Sequence, residues 1–456
     1  MRFRRLAGAL LLACPMLAQA QILTFKASVE RALKENPEIA AADGRIAQAS
    51  AALKAAERAR LPQINAELSV ANTDDALNVF GMKLSERQAT FNDFGANEFN
   101  PSNPNVLSVE PKNLNRPGDW THYNAKIQLL IPIWNGGRIS GFQNQARAFT
   151  EAARYGKEAV RQFLTYSVFR AYDGVHTARA YIAVARKALE AADSYVKTTK
   201  SMVEQGIVVK SELLRALVNR SEAQQALTEA ENQEQLALDA LRTLLALDMG
   251  ESIEVGDRVM IDLPSEDVVE LVSMALSRNP KLVALRKQYE GELAGVQVAR
   301  AERYPHVNAM AEKDFNSDHF GLQADSYLVA LQAKWKLDAG VTGATIERAR
   351  ARAQTQAARL QSEENQIRLK VIQAWRNWQV ANSKITTTRL NEEQAEEANR
   401  LVLKRYKAGV ATITELLASQ AQLDKARADH VAAVYQANLY KAELRWLTGT
   451  MTLDNL

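Results

Sequence analysis

The stretch Lys407-Ala-Gly-Val-Ala-Thr-Ile-Thr-Glu-Leu-Leu417 reads as the turn between two long helices. Gly409 can take the left-handed backbone that closes an incoming helix. Thr412-Ile-Thr-Glu415 has the S/T-x-x-E spacing of a capping box, which opens an outgoing one. The turn has a twin 203 residues upstream, Gly206-Ile-Val-Val-Lys-Ser-Glu-Leu-Leu214, with glycine and Glu-Leu-Leu at the same separation. Gly206 pairs with Gly409, Glu212 with Glu415, Leu213 with Leu416 and Leu214 with Leu417. The chain therefore reads as an internal duplication, with these turns as matching tips near residues 206 and 409.

Asn36-Pro37 interrupts one helical pattern and Leu61-Pro62 ends it. Asn279-Pro280 and Tyr304-Pro305 do the same 243 residues later. Gly137 already matches Gly340 at 203, so forty extra residues lie between Pro62 and Gly137. Each unit reads helix, strand, loop, strand, long helix, tip, long helix. The first unit covers 21–248, a linker 249–264, and the second unit 265–456.

After Pro62, apolar Ile64, Ala66, Leu68 and Val70 alternate with Gln63, Asn65, Glu67 and Ser69. Tyr123, Ala125, Ile127, Leu129, Ile131 and Ile133 continue the period of two, the mark of a strand with one apolar and one polar face. Val307, Ala309 and Ala311, then Tyr327, Val329, Leu331, Ala333, Trp335 and Leu337, repeat it. Four strands follow, at about 63–71, 122–134, 306–315 and 326–338. The extra residues fall in a loop from about 71 to 121, rich in Asn, Asp, Pro and Gly.

From Arg138 a helical pattern runs to about Val203. Leu164, Val168, Ala171, Val175, Ala178, Ile182, Ala185, Leu189, Ala192 and Val196 step by four and three, a heptad seam. Some 65 residues at 1.5 Å each span roughly 100 Å. The first hairpin covers 138–247 and the second 342–447.

The first twenty residues read as a secretory signal. Arg2, Arg4 and Arg5 form the basic part, Leu6 to Ala13 the apolar core, and Ala18-Gln19-Ala20 the cleavage site. Removing it takes three arginines, so net charge falls from +4 to about +1. That balance gives no electrostatic reason to expect nucleic acid. The single cysteine, Cys14, lies within the signal. Leu11-Leu12-Ala13-Cys14 also resembles a lipobox, in which Cys14 would be acylated.

No apolar run reaches 18 residues, so no membrane-spanning helix is expected. A β-barrel remains open, because its strands give a weak hydropathy signal. Four strands cannot close a barrel alone, and an open sheet would leave two edges in lipid. Shared among protomers, two copies give eight strands and three give twelve. A lone hairpin of long helices likewise cannot bury its seam.

Ala32-Leu33 with Asn36-Pro37, the Leu61-Pro62 stop, the strand with Pro132 and Gly136-Gly137, and Arg405-Tyr406-x-x-Gly409 together resemble the TolC family of outer-membrane efflux proteins. The ordered set occurs twice across nearly the whole chain. The resemblance implies an α+β membrane protein, a homotrimer with a 12-stranded barrel in the outer membrane and a 12-helix periplasmic tunnel. It implies a small mixed region from the 249–264 linker and the C-terminal residues. It implies an exit duct of a tripartite efflux pump or type I secretion system. The partners would be a periplasmic adaptor and an inner-membrane pump of the RND, ABC or MFS class. The residues themselves leave a non-pore envelope coiled-coil or adhesin open, and an adaptor protein as a third reading. Four amphipathic strands at matching points in a repeat argue against both.

In this family the tips close the periplasmic entrance, and acidic residues ring the constriction. Glu212 and Glu415 match one acidic position; the second falls at Ala418 and Arg215, which weakens a cation-binding ring. Each glutamate also reads as a first-turn acid favoured by the helix dipole. Arg405 and Tyr406 are candidates for holding neighbouring helices in the closed state. Trp120, Tyr123, Trp134, Tyr327 and Trp335 lie near strand ends and read as aromatic girdles at the bilayer surfaces. The five histidines show no ligand spacing, no phosphate-binding loop is present, and no nucleophile motif is found. No catalytic role, cofactor or metal is expected.

Overall fold

The computed structural model describes residues 21–248 and 250–455. The expected signal peptide lies outside them, and with it Cys14 and the acylation alternative. In chain order the elements are β1 (Gln21–Leu23), α1 (Phe25–Glu35), α2 (Pro37–Arg58), β2 (Gln63–Thr73), α3 (Ala76–Ser85), α4 (Lys112–Asn115), β3 (Trp120–Trp134) and α5 (Arg138–Glu204). They continue with α6 (Lys210–Leu244), β4 (Ile253–Val255), α7 (Val268–Arg278), α8 (Pro280–Ala301), β5 (His306–Ser317), β6 (Ala324–Lys334), α9 (Val341–Lys407) and α10 (Ile413–Leu447). Among the described residues, no helix is long and apolar enough to cross a membrane.

Two compact units follow from the contacts. The first takes in the described residues among 21–47, 152–286 and 359–455. The seam from Leu164 to Val196 is buried or half-buried at every position, as the heptad spacing predicts. Phe25 packs edge-on against Phe169 and Tyr172, with ring centroids 5.8 and 5.6 Å away. The Asn-Pro pairs have a structural task. Asn36 donates to Leu244 O at 3.0 Å and accepts from Glu38 N; Asn279 donates to Leu447 O at 2.9 Å and accepts from Lys281 N. Each side chain caps the helix that its proline starts and ties it to the end of a long helix.

The second unit comprises residues 48–151 and 287–358. Its sheet has the order β2-β3-β5-β6, antiparallel throughout. The register puts Leu68, Ala125 and Phe315 in one row and Ile64, Leu129, Ala311 and Val329 in another. The opposite face carries the row Glu67, Lys126, Asp314 and Ser326. Lys126 pairs with Glu312 at 3.1 Å and Asp314 at 3.7 Å, and Gln128 donates to Glu312 at 2.9 Å. One face is thus mainly apolar, interrupted near the start of β6 by the Lys313–Asp325 ion pair, and the other is mainly polar, as the alternation predicts. A bulge between Pro132 and Trp134 shifts the ladder just before its last pair, beside a proline that cannot donate. Gly136 follows at φ +62, in a place where a Cβ would strike Tyr304.

Several expectations need correction. The described residues hold six strands, because β1 and β4 form a small parallel pair. The mixed region therefore draws on residues 21–23 as well as the linker. The period-two pattern continues to Leu337, but β6 stops at Lys334, so Trp335 lies beyond the strand. The 71–121 segment is not bare loop. Its start continues β2, and α3 and α4 lie within it. Asp75 caps α3, and Phe80 packs edge-on against Phe94 at 4.6 Å. Asp93 is held at a pKa of about 2, chiefly by its hydrogen bond from Lys83 at 2.7 Å.

Candidate functional site

The two tips use the backbone geometry that the glycines predict. Gly206 has φ +77 and Gly409 φ +73. Ile207 N donates to Met202 O at 2.8 Å and Gly206 N to Val203 O at 3.0 Å; Val410 N donates to Arg405 O and Gly409 N to Tyr406 O. These are Schellman turns, which satisfy the last carbonyls of α5 and α9. Thr412 caps α10, its hydroxyl accepting from Glu415 N at 3.2 Å. The return half of a capping box is not made. The Glu415 carboxylate instead accepts from the Thr412 hydroxyl at 3.4 Å and lies 3.8 Å from Arg405.

Beneath the tips, Tyr195, Met202, Ala216, Tyr406, Ile413 and Leu416 form one buried apolar cluster. It draws side chains from α5, α6, α9 and α10. Tyr406 is fully buried, and its phenol oxygen lies 2.7 Å from the Thr199 hydroxyl. Burial pushes the Tyr406 phenol up, and the neighbouring Glu212 carboxylate pushes it further. Glu212 is half-buried, and one of its carboxylate oxygens is buried without a hydrogen bond. Its sequence twin Glu415 is half exposed and salt-bridged within its own hairpin. Two glutamates at matching places after the tip glycines thus have different surroundings.

Arg405 makes its contacts, with Val410 O and Glu415, inside one hairpin. Tyr406 reaches across to the other. The structure thereby separates two residues that sequence reasoning grouped.

Further links were not foreseen. Arg215 donates to Thr414 Oγ1 at 2.7 Å, joining α6 to α10. Farther along the helices, Asn399 donates to Tyr195 Oη at 3.1 Å and to Gln420 Oε1 at 2.8 Å, and Tyr195 donates to the same Gln420 oxygen at 2.7 Å. Gln420 in turn donates to Asp424 at 2.8 Å. Burial raises the Asp424 pKa, against the lowering by this bond and by Arg427. Arg427 is buried and pairs with Glu396 at 3.0 Å. Part of the signal was available: Thr199 continues the α5 seam, three residues after Val196, with a polar side chain.

The aromatic residues divide. Trp134 is exposed, packs on Tyr304 at 6.0 Å, and lies in register with Val307. Trp335 is exposed and donates to Arg303 O at 3.1 Å, at the same end of the sheet. Tyr327 stands 80% exposed near the other end, opposite Lys313. Tyr123 is half-buried and meets Phe320. Trp120 points into the loop: it donates to buried Glu86 at 3.1 Å and lies under Lys83. Glu86 also meets His122 at 2.6 Å.

A family model described as outer membrane efflux protein matches residues 28–247 and 271–450. The fusaric acid resistance protein FusA of Burkholderia cepacia is 23% identical over 71% of this chain, and the match covers 55%, about half, of that protein's length. The pyoverdine export outer membrane protein OpmQ of Pseudomonas putida is 24% identical over 88% of this chain and 80% of its own. The fold resembles that of the outer membrane protein VceC from Vibrio cholerae, at TM-score 0.77, 18% identity, and 93% and 96% of the two chains.

Proposed function

The chain belongs to the outer membrane efflux protein family, and on that premise we propose that it is the exit duct of a tripartite efflux or secretion system in the outer membrane. Cargo would pass through it passively, with energy supplied by the inner-membrane partner. The observation that carries this reading is the sheet. It has an apolar face, a polar face, and two free edges, β2 and β6, of 11 residues each. Such edges are not stable in hydrocarbon, and pairing β2 of one copy with β6 of the next removes them. Three copies give a closed 12-stranded barrel with a polar lumen.

Internal duplication is part of the proposal. It is supported by equal lengths: 67 residues in α5 and α9, 35 in α6 and α10, 22 in α2 and α8, and 11 in α1 and α7. The repeat boundaries are those of the sequence reading, 21–248 and 265–456.

At the tips, Tyr406, Thr199 and Glu212 would hold the hairpins together, with Glu415 facing the entrance. A periplasmic adaptor would dock along α6 and α10, where Leu214, Val218 and Leu417 line a groove. Trp134, Trp335 and Tyr327 are the proposed membrane-interface residues.

The test is the native mass of protein extracted in detergent from separated outer membranes, with conductance in a planar bilayer. A trimer that conducts is expected. A monomer, or a non-conducting protein, would overturn the duct.

A further inference from the structure

The 74–119 loop carries an apolar surface that its own chain does not cover. Leu107 is 94% exposed, Phe91 84% and Leu77 79%. An open groove of about 350 Å³ lies among Phe91, Phe94, Phe99, Val106, Val109 and Pro111. Scattered exposed leucines such as Leu77 mean little, but the apolar groove, with Phe91 in its wall and Leu107 next in sequence to Val106, marks a binding surface. The loop is not a loose tether. Glu98 accepts from Lys112 N and Asn113 N at 2.7 and 2.9 Å, and the Lys83–Asp93 pair ties α3 to the next turn. The surface is therefore presented in a fixed form.

We propose that this surface docks against a second copy of the chain, forming a ring of loops above the shared barrel. The inference rests on the barrel reading given above. The loop springs from β2, one free edge of the sheet. Arg87 donates to Asp325 O at 2.7 Å and Gln88 to Gln323 at 3.1 Å, fastening it at the start of β6, the other free edge. It thus spans the strand ends from edge to edge, and a copy that pairs at either edge brings its own loop alongside. Two other occupants fit less well. The stretch from 94 to 109 carries a single charge, Glu98, already engaged, so it supplies no cation of its own to lipid phosphates. For a periplasmic adaptor, the groove proposed above on α6 and α10 already supplies a docking surface.

The test uses the full-length protein with Leu107→Cys. No other cysteine lies outside residues 1–20, and the unsubstituted protein gives the background. Labelling by a sulfonated maleimide is expected to be at least tenfold slower in the intact trimer than after heat dissociation. Phe91→Ser with Leu107→Ser, both on exposed side chains, is expected to lower the trimer's dissociation temperature. A trimer in which Leu107→Cys labels as fast as the dissociated chain overturns this proposal alone. Quenching of a bimane on that cysteine by brominated phospholipid also overturns it, by placing lipid there. A monomer overturns both this proposal and the shared barrel.

Discussion

The Tyr406 phenol oxygen lies 2.7 Å from the Thr199 hydroxyl, although 207 residues separate them in the chain. Both are fully buried, and the contact joins α9 to α5 beneath the tips. In the duct proposed above, this link lies where the two hairpins would have to part.

Tyr406→Phe keeps the ring and removes the link. One buried hydrogen bond contributes about 1 kcal/mol, roughly a fivefold shift in a two-state equilibrium. Single-channel recording is expected to show the open fraction rising by about that factor. An unchanged open fraction would remove Tyr406 from the gate.

The tip glycines sit at φ +77 and +73, where a Cβ costs about 1–2 kcal/mol. Neither would meet a tight contact, since nothing lies within 4 Å of a Cβ at Gly206 and only Ile207 at 3.7 Å for Gly409. Gly206→Ala and Gly409→Ala are therefore expected to destabilise through backbone strain alone, by similar amounts. Thermal unfolding of the two variants measures this.

Ala246 has φ +51 at the end of α6, while Gly449, 203 residues later, has φ +75 at the end of α10. Ala246 is exposed, so no packing is lost by trimming it. Ala246→Gly is expected to stabilise by about 0.5–1 kcal/mol, as relief of left-handed strain outweighs the added backbone freedom of the unfolded chain. A lower melting temperature would contradict this.

Glu212 and Glu415 are expected to differ on substitution. Glu415 is half exposed, so Glu415→Gln should lower cation selectivity, read as a smaller reversal potential in a salt gradient. Glu212 lies against Tyr406, and Glu212→Gln should chiefly alter opening. Equal effects on selectivity would show that the difference in surroundings has no consequence.

Burial raises the Asp424 pKa above its ordinary 3.8. A carboxyl whose folded value is raised binds its proton more tightly in the folded state. Its stabilising contribution is present below 3.8 and is lost as pH rises through the raised value. Asp424→Asn is expected to flatten this dependence and to raise stability at neutral pH, because Gln420 can still donate to the amide oxygen. Heat-dissociation curves across pH measure it, and a destabilised variant at neutral pH would refute it.

Much of this was legible in the chain. The tip glycines, the Asn-Pro helix starts, the heptad seam and the alternating strands are local signals, set by backbone sterics and by side-chain period. Each needs only a few neighbouring residues to be read. What the sequence left open depends on distant partners. Spacing could not tell that Trp120 turns inward to Glu86, that β1 pairs with β4, or that α3 orders the long loop. Sequence did mark one difference between Glu212 and Glu415, Val209 against the capping Thr412 three residues earlier, but not that Glu212 would lie against Tyr406. Only the packing of α5 and α6 against α9 puts Thr199 and Glu212 beside Tyr406, because burial and hydrogen-bond partners come from residues some two hundred positions apart. The sequence alone determined which elements form and where they turn; the tertiary structure decided which polar side chains they enclose.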